Sequence, residues 1–508
     1  MKSKRFSVIV SILLIASIWY SVSSADSNKI TILHTNDMHG AFLPSPATWV
    51  DATPKPLIGG FLALEHYLKL ERTQIPNTLL LDAGDLMTGN EICNIEYRGA
   101  KGGALIEMMN TLGYEGMTLG NHEFDVSQEN ILKLIELSEF PVYSANLYKT
   151  NGQLFAPKAY YIYEKQGLRI GVIGIITEQL FDVLNFNKRE NLVVKPNAET
   201  INEIADEIDD ETDLIVILSH CGADEDSALA EKLDRRIDVI VGGHSHTRIE
   251  KAREVNHILI VQAGSKCRYL GKLDLTVAGD TIQTFTSELV PLWVDAITPE
   301  PKLETHIRAL EQQIDAKFGR VIAQLKTDLK QSHHNESNLG NYVADCMREY
   351  TGADFAGINS GGIRKSMPAG VIKIIDIREI LPFDNAVWTF KVTGEQLLRF
   401  MENNARASAF EEHGIVQISG LTTHYRKIGA NQIEITKALV NGEPLQPEKI
   451  YTGATVDFVL IANCDKYLGI KPADLYDSGI VISDMVLQIT EQKGKIAPKI
   501  EGRLKEVQ

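Results

Sequence analysis

Cysteine is scarce in this chain. The five cysteines, Cys93, Cys221, Cys267, Cys346 and Cys464, are scattered, odd in number and form no CxxC pair. That spacing excludes a disulfide-built scaffold and a thiolate metal site, and leaves at most a single bridge open. Positive charge is also in deficit: 51 Lys+Arg stand against 67 Asp+Glu, a formal net charge of −16. An acidic surface of this kind is a poor partner for polymeric nucleic acid, although it allows a small phosphate ligand in a locally basic pocket. Internal repeats and low-complexity segments are missing. The last residues, Arg503 to Gln508, carry no apolar tail of the kind a lipid anchor requires.

A long apolar run is found only at the start. Lys2, Lys4 and Arg5 precede an apolar stretch at 6–20, and the small residues Ser23, Ser24 and Ala25 follow. The stretch is shorter than the ~20 residues a membrane-spanning helix needs. The pattern predicts a secretory signal peptide over 1–25, cleaved to give a secreted or periplasmic protein with no stable membrane anchor. No cysteine follows the run, which argues against a lipoprotein.

What remains is ordinary in composition, with 44% hydrophobic and 23% charged residues, and the 508 residues suffice for two or three domains. Between 29 and 295, short β-branched or Leu-rich runs read as buried strands at 30–33, 78–81, 168–176, 214–218, 239–241 and 258–261. Helical patterns lie between them near 102–112, 128–138 and 225–234. The alternation predicts a layered α/β domain. Pro299, Glu300 and Pro301 mark a boundary, 296–320 reads as a charged linker helix, and a second, α+β, domain is expected over 321–490 with a helix at 337–350.

Four of these strand patterns, and a further short one at Thr118-Leu119, end in polar clusters. They are Asp37-Met38-His39-Gly40, Gly84-Asp85, Gly120-Asn121-His122-Glu123-Phe124-Asp125, His220-Cys221-Gly222 and Gly243-His244-Ser245-His246. Ligands collect outside the carboxyl ends of strands in open α/β sheets, so the five clusters should converge. Their residue types suit two divalent cations. Asp85 is the candidate bridging carboxylate, since bridged cations lie ~3.5–4 Å apart. Asp37 and His39, two residues apart, can point to one side, and neutral imidazoles at His39, His220, His244 and His246 add ligands without cancelling charge. Asn121 supplies a neutral oxygen. With few carboxylates in the set, net positive charge is left to meet a phosphate, and a water bound there would ionise near neutral pH. His122 fits the role of an acid beside the ligands, with Asp125 holding its ring and raising its pKa. The ligand types suit Zn, Mn or Fe without choosing among them. His34, inside the first strand pattern, reads as a core residue, His333 and His334 as solvated loop residues, and Cys221 as a small packed residue.

These clusters resemble the calcineurin-like metallophosphoesterase family, and the wider chain, over about 29–490, resembles the two-domain 5′-nucleotidase family. The resemblance implies a four-layer metallophosphoesterase sandwich followed by an α+β substrate-binding domain. By motif match, Asp37, His39, Asp85 and His246 would surround one metal, and Asp85, Asn121, His220 and His244 the other, with His122 and Asp125 as the catalytic pair. In the second domain, Asn359-Ser360-Gly361-Gly362-Ile363-Arg364 is similar to the family's Asn-x-Gly-Gly-Ile-Arg loop. Glycines such as Gly362 admit close backbone approach, and Arg364 offers a fork for phosphate oxygens. The segment 381–385, ending in Asn385, matches another substrate-side segment. Two departures stand out. Ile415 occupies the place of an aromatic that would clamp a base, and the segment from Phe458 to Asp465 keeps the aromatic and an acidic residue but loses a glycine pair. One-sided stacking would weaken base recognition by ~1 kcal/mol. The expected activity is hydrolysis of nucleoside 5′-phosphates. Alternatives on the same site are UDP-sugars, 2′,3′-cyclic nucleotides or a sulfur ester, and an alternative of another class is a catalytically silent extracellular nucleotide-binding protein.

Overall fold

A computed structural model describes residues 28–184, 188–295 and 297–507. The leader expected over 1–25 lies outside the described residues. The first domain is built on two six-stranded sheets. In one, the order is Ile282–Pro291, Tyr269–Val277, Asn28–Thr35, Thr78–Asp82, Gly116–Thr118 and Val142–Tyr143. In the other it is Tyr160–Lys165, Leu168–Ile176, Leu214–His220, Val239–Gly242, Ile258–Val261 and Arg253–Val255.

Strand alternation decides what each face touches. Ile30, Ile32, Leu79 and Leu81 point between the sheets, where they meet Ile170, Val172, Val216, Leu218, Val239 and Val241. Leu33 and Leu80 point outward, into a core shared with the helices Phe61–Gln74 and Gly103–Leu112. On the far side, Ile173, Ile175, Ile215 and Ile217 pack under the helices Asn197–Ile208 and Ala223–Ala230. The result is helix, sheet, sheet, helix, the four layers implied by the family resemblance. Each fully buried Leu or Ile contributes about 1.5–3 kcal/mol through removal from water, so the register is held on both faces of each sheet.

The strands Asn28–Thr35, Thr78–Asp82 and Gly116–Thr118 run parallel, with Thr35 beside Asp82 and Asp82 beside Met117. Leu214–His220 and Val239–Gly242 are parallel in the other sheet, with Ser219 beside Gly242. The carboxyl ends of all five therefore open on one edge of the sandwich.

The helix Pro301–Phe318 carries Leu303, Ile307, Leu310, Ile314 and Phe318 on one buried stripe, and that stripe joins the outer core of the first domain. Beyond it, a five-stranded sheet ordered Val416–Ser419, Phe355–Asn359, Ile450–Val456, Ala386–Thr393 and Ala473–Val481 packs with the helices Asn338–Thr351, Gly394–Phe410 and Ile482–Lys493 around a separate core. Ser337 caps the first of these helices by accepting from the Gly340 N–H. The expected end of this domain near 490 falls short. Lys495–Ile496 pairs with Val321–Leu325, and Leu504–Glu506 pairs with Leu421–Gly429, so the unit runs to Glu506. Strands of two and three residues are too short to show a period in the sequence. Among the described residues, no helix is long and apolar enough to cross a membrane.

Candidate metal centre and substrate cavity

Five of the seven candidate ligands sit in the left-handed backbone region: Asp37, His39, Asp85, His244 and His246 have φ of 50°, 49°, 59°, 73° and 56°. Each such non-glycine residue costs roughly 1–2 kcal/mol. The surrounding loops hold them there. Asp37 N–H donates to Gly84 O at 2.9 Å and His39 N–H to Asp85 O at 3.0 Å, lacing the first ligand loop to the second. The Asp37 carboxylate accepts from Asn36 Nδ2 at 2.6 Å and from the His244 N–H at 2.9 Å, which ties in the last loop. Gly120 is required by proximity: a Cβ there would lie 2.3 Å from Asp85 Oδ1.

The side chains converge as two triads. Ligand atoms of Asp37, His39 and His246 lie within 4.8 Å of one another, as do those of Asp85, His220 and His244. A third such group, His39, Asp85 and His122, links them. Asn121 joins the second triad, its Oδ1 lying 2.9 Å from His244 Nδ1. Backbone carbonyls fix two ring orientations: His39 Nδ1 faces Met87 O at 3.0 Å and His220 Nδ1 faces Ala83 O at 2.6 Å. With Nδ1 engaged, Nε2 of each ring is left to face the centre. His39 Nε2 then faces His246 Nε2 at 2.9 Å, and His220 Nε2 faces Asp85 Oδ2 at 3.1 Å. Ring nitrogens turned toward one another and toward a shared carboxylate are what a ligand set for cations presents, so these residues fit divalent metal ions.

Burial and charge tune the groups. Burial holds His39 down to about 3 and His244 to about 4, which keeps both imidazoles neutral. Burial also opposes charge on His220, but the adjacent Asp85 outweighs it and lifts the ring to about 10. Burial would raise Asp37 and Asp85, yet both are lowered, Asp37 chiefly by His246 and Asp85 by His220. Both carboxylates therefore stay ionised. For His122, the pull of Asp125 and Asp85 exceeds the cost of burial, and its pKa is raised.

His122 stands beside the triads. Its backbone N–H donates to Asp85 Oδ1 at 2.8 Å, and its Nδ1 donates to Asp125 Oδ2 at 2.7 Å. Thr88 Oγ1 donates to the same Asp125 oxygen at 2.5 Å. Neither Thr88 nor Glu123 stands out in the sequence. Glu123 is buried, and its two carboxylate oxygens accept from the N–H groups of Asp85, Leu86, Met87 and Gly120 at 3.0, 2.8, 3.2 and 2.6 Å. Burial and the nearby Asp85 lift it to about 7. Its place directly after Asn121-His122 was the available signal.

A cavity of about 670 Å³ opens from the triads toward the second domain. Asn359, Gly362, Arg364, Asn385 and Phe458 line it. The Arg364 guanidinium lies 5.7 Å from the Phe383 ring, and Phe383 stacks on His122. Asp465 is not brought in. It is exposed in the helix Cys464–Tyr467, and Tyr467 lines the cavity instead. The segment winds into the π-helical turn Phe458–Ala462 and a further helical turn, which leaves Asp465 on the outside and Tyr467 on the inside. His333 is corrected as well. It is exposed but lines the cavity beside Gly361, so it is more than a solvated loop residue. His34 is buried under Gly271, where a Cβ would come 2.1 Å from Nε2. Cys221 packs in the core and accepts from Asn197 Nδ2 at 3.3 Å, and no cysteine is bridged.

This sandwich with its His/Asp edge defines a calcineurin-like phosphoesterase, and the family model of that description matches residues 30–248. A second model, the 5′-nucleotidase C-terminal domain, matches 319–469. The chain belongs to the two-domain 5′-nucleotidase family and is a phosphoric ester hydrolase of that kind. It is 27% identical to an apyrase from Tabanus yao, over 94% of each chain. It is 27% identical to a 5′-nucleotidase from Vibrio vulnificus, over 92% of this chain and 91% of that one. Among solved structures it resembles a 5′-nucleotidase precursor from Thermus thermophilus, with a TM-score of 0.83 and 26% identity over 94% of this chain and 99% of that chain.

Proposed function

We propose that the protein is an exported 5′-nucleotidase that releases phosphate from nucleoside 5′-monophosphates at a dinuclear centre. The observation that carries this reading is the pair of triads meeting at Asp85 and His39, with His122–Asp125 beside them and Arg364 on the facing wall. One cation would be held by Asp37, His39, Asp85 and His246, and the other by Asp85, Asn121, His220 and His244. Bound divalent cations supply Lewis-acid activation of water and neutralise phosphate charge. The chain's own groups do the rest. Arg364 binds the phosphate oxygens as a two-pronged donor. His122, kept protonated by Asp125, lies where it can hand its Nε2 proton to the leaving ester oxygen. Phe383 covers the His122 ring and excludes water from one side of the reacting group. The basic, apolar and small residues at the N-terminus support export.

The test is a substrate panel on metal-loaded protein: AMP, UMP, UDP-glucose, 2′,3′-cyclic AMP and a thiosulfate ester, each with and without chelator. The expected result is the highest kcat/KM on the 5′-monophosphates, abolished by chelator and restored by added cation. A higher kcat/KM on any other member of the panel overturns the assignment.

A further inference from the structure

We infer that Tyr467 determines which leaving groups the cavity accepts, by forming with Phe458 an aromatic corner that receives the planar heteroaromatic ring of a nucleobase. The inference rests on the nucleotide-hydrolysing reading and names the residue that makes it selective. Position 415 contributes nothing to ring recognition. Ile415 is 1% exposed in the core of the second domain, and its backbone is engaged by His333 O and the Ser360 N–H. The ring that the sequence places nowhere is supplied from a different segment. Tyr467 and Phe458 both line the cavity, with ring centroids 6.3 Å apart and planes at 51°.

Tyr467 is a fixed wall. It is 8% exposed, and the His413 ring meets it edge-on at 5.4 Å and 76°. Asn359 is itself buried and keeps Oδ1 without a partner. It opens the same loop that ends in Arg364, so one short segment joins the ring-facing end of the cavity to the phosphate-facing end. Two rings inclined at 51° cannot sandwich a base. They can take one face of it against one ring and its edge against the other, the offset and edge-to-face arrangements that aromatic groups favour. An aliphatic leaving group offers no π face and gains little from this corner.

The experiment compares kcat/KM for AMP, UMP and ribose 5-phosphate on metal-loaded native protein, Tyr467→Leu and Tyr467→Phe. Leu keeps apolar bulk without a ring, and Phe keeps the ring without the hydroxyl. The expected result is a native preference for the nucleotides that falls roughly tenfold in Tyr467→Leu, through KM, and survives in Tyr467→Phe to within about threefold. Should Tyr467→Leu not fold, Phe458→Leu removes the other wall and must produce the same fall in the nucleotide-to-ribose 5-phosphate ratio. A native preference that Tyr467→Leu leaves intact, or a loss carried in kcat and equal on all three substrates, overturns the inference while leaving the nucleotidase reading standing. Native protein with no preference for nucleotides overturns that reading itself.

Discussion

Phe383, carried by the second domain, stacks on His122 of the first with ring centroids 5.7 Å apart and planes at 23°. The contact places the lid of one domain directly on the acid of the other, beside the Arg364 guanidinium. Phe383→Leu should lower kcat/KM for a nucleotide roughly 2- to 10-fold, the scale of one lost aromatic pair. Metal content measured on the same samples should not change. A parallel loss of metal would mean that Phe383 supports the fold of the centre rather than covering the acid.

His122→Ala removes the proposed proton donor. Loss of a general acid costs roughly 10²–10⁴ in rate. The active form is the protonated one, and Asp125 raises its pKa against burial. Activity limited by this group is therefore present at lower pH and declines as pH rises through the raised value. The check is a pH–kcat profile of native enzyme, whose basic limb should be absent from the residual activity of His122→Ala.

Glu123 links four backbone N–H groups around the turn that carries Asp85. Glu123→Ala should release that turn from its left-handed conformation and weaken cation binding roughly 10- to 100-fold, as loss of a ligand-orienting partner does. Chelator competition followed by elemental analysis reads this without reference to turnover. Undiminished affinity would show that Asp85 holds its own backbone.

Asp82 offers a stability test away from the chemistry. Its carboxyl accepts from Thr35 Oγ1 at 2.6 Å and from the Gly84 N–H at 3.0 Å, and burial pushes its pKa up to about 8. The folded chain then keeps a proton that the unfolded chain releases near pH 4. The stability this gives is complete below that lower value and is lost as pH rises toward 8. Asp82→Asn, which mimics the protonated form, should flatten the fall in Tm between pH 5 and pH 8. An unchanged slope would assign the pH dependence to other groups.

Much of the first domain is legible in the sequence because two periodicities coincide with chemistry. Runs such as 78–81 and 214–218 alternate correctly between two cores, and each ends where a ligand is needed. What escapes is whatever depends on distant pairing. Glu123 follows Asn121-His122 and looks like the first turn of a helix, because nothing local announces four remote backbone partners. Tyr467 and His333 lie in segments without period, and their place on the cavity depends on how the second domain folds and docks. Asp465 misleads for a related reason: it stands close to Phe458 in the sequence, but the path between them is helical, which nothing local announces.

The left-handed backbones at Asp37, His39, Asp85, His244 and His246 have a consequence for how the centre fills. Hydrogen bonds between the loops hold these conformations, so little chain ordering is left to be done on binding. Capture of an ion should then be limited by its own dehydration rather than by rearrangement of the protein. Glycine at any of the five positions relaxes the backbone as it deletes the ligand, so variants that lose the ion there are expected to melt higher than their chemistry alone would suggest.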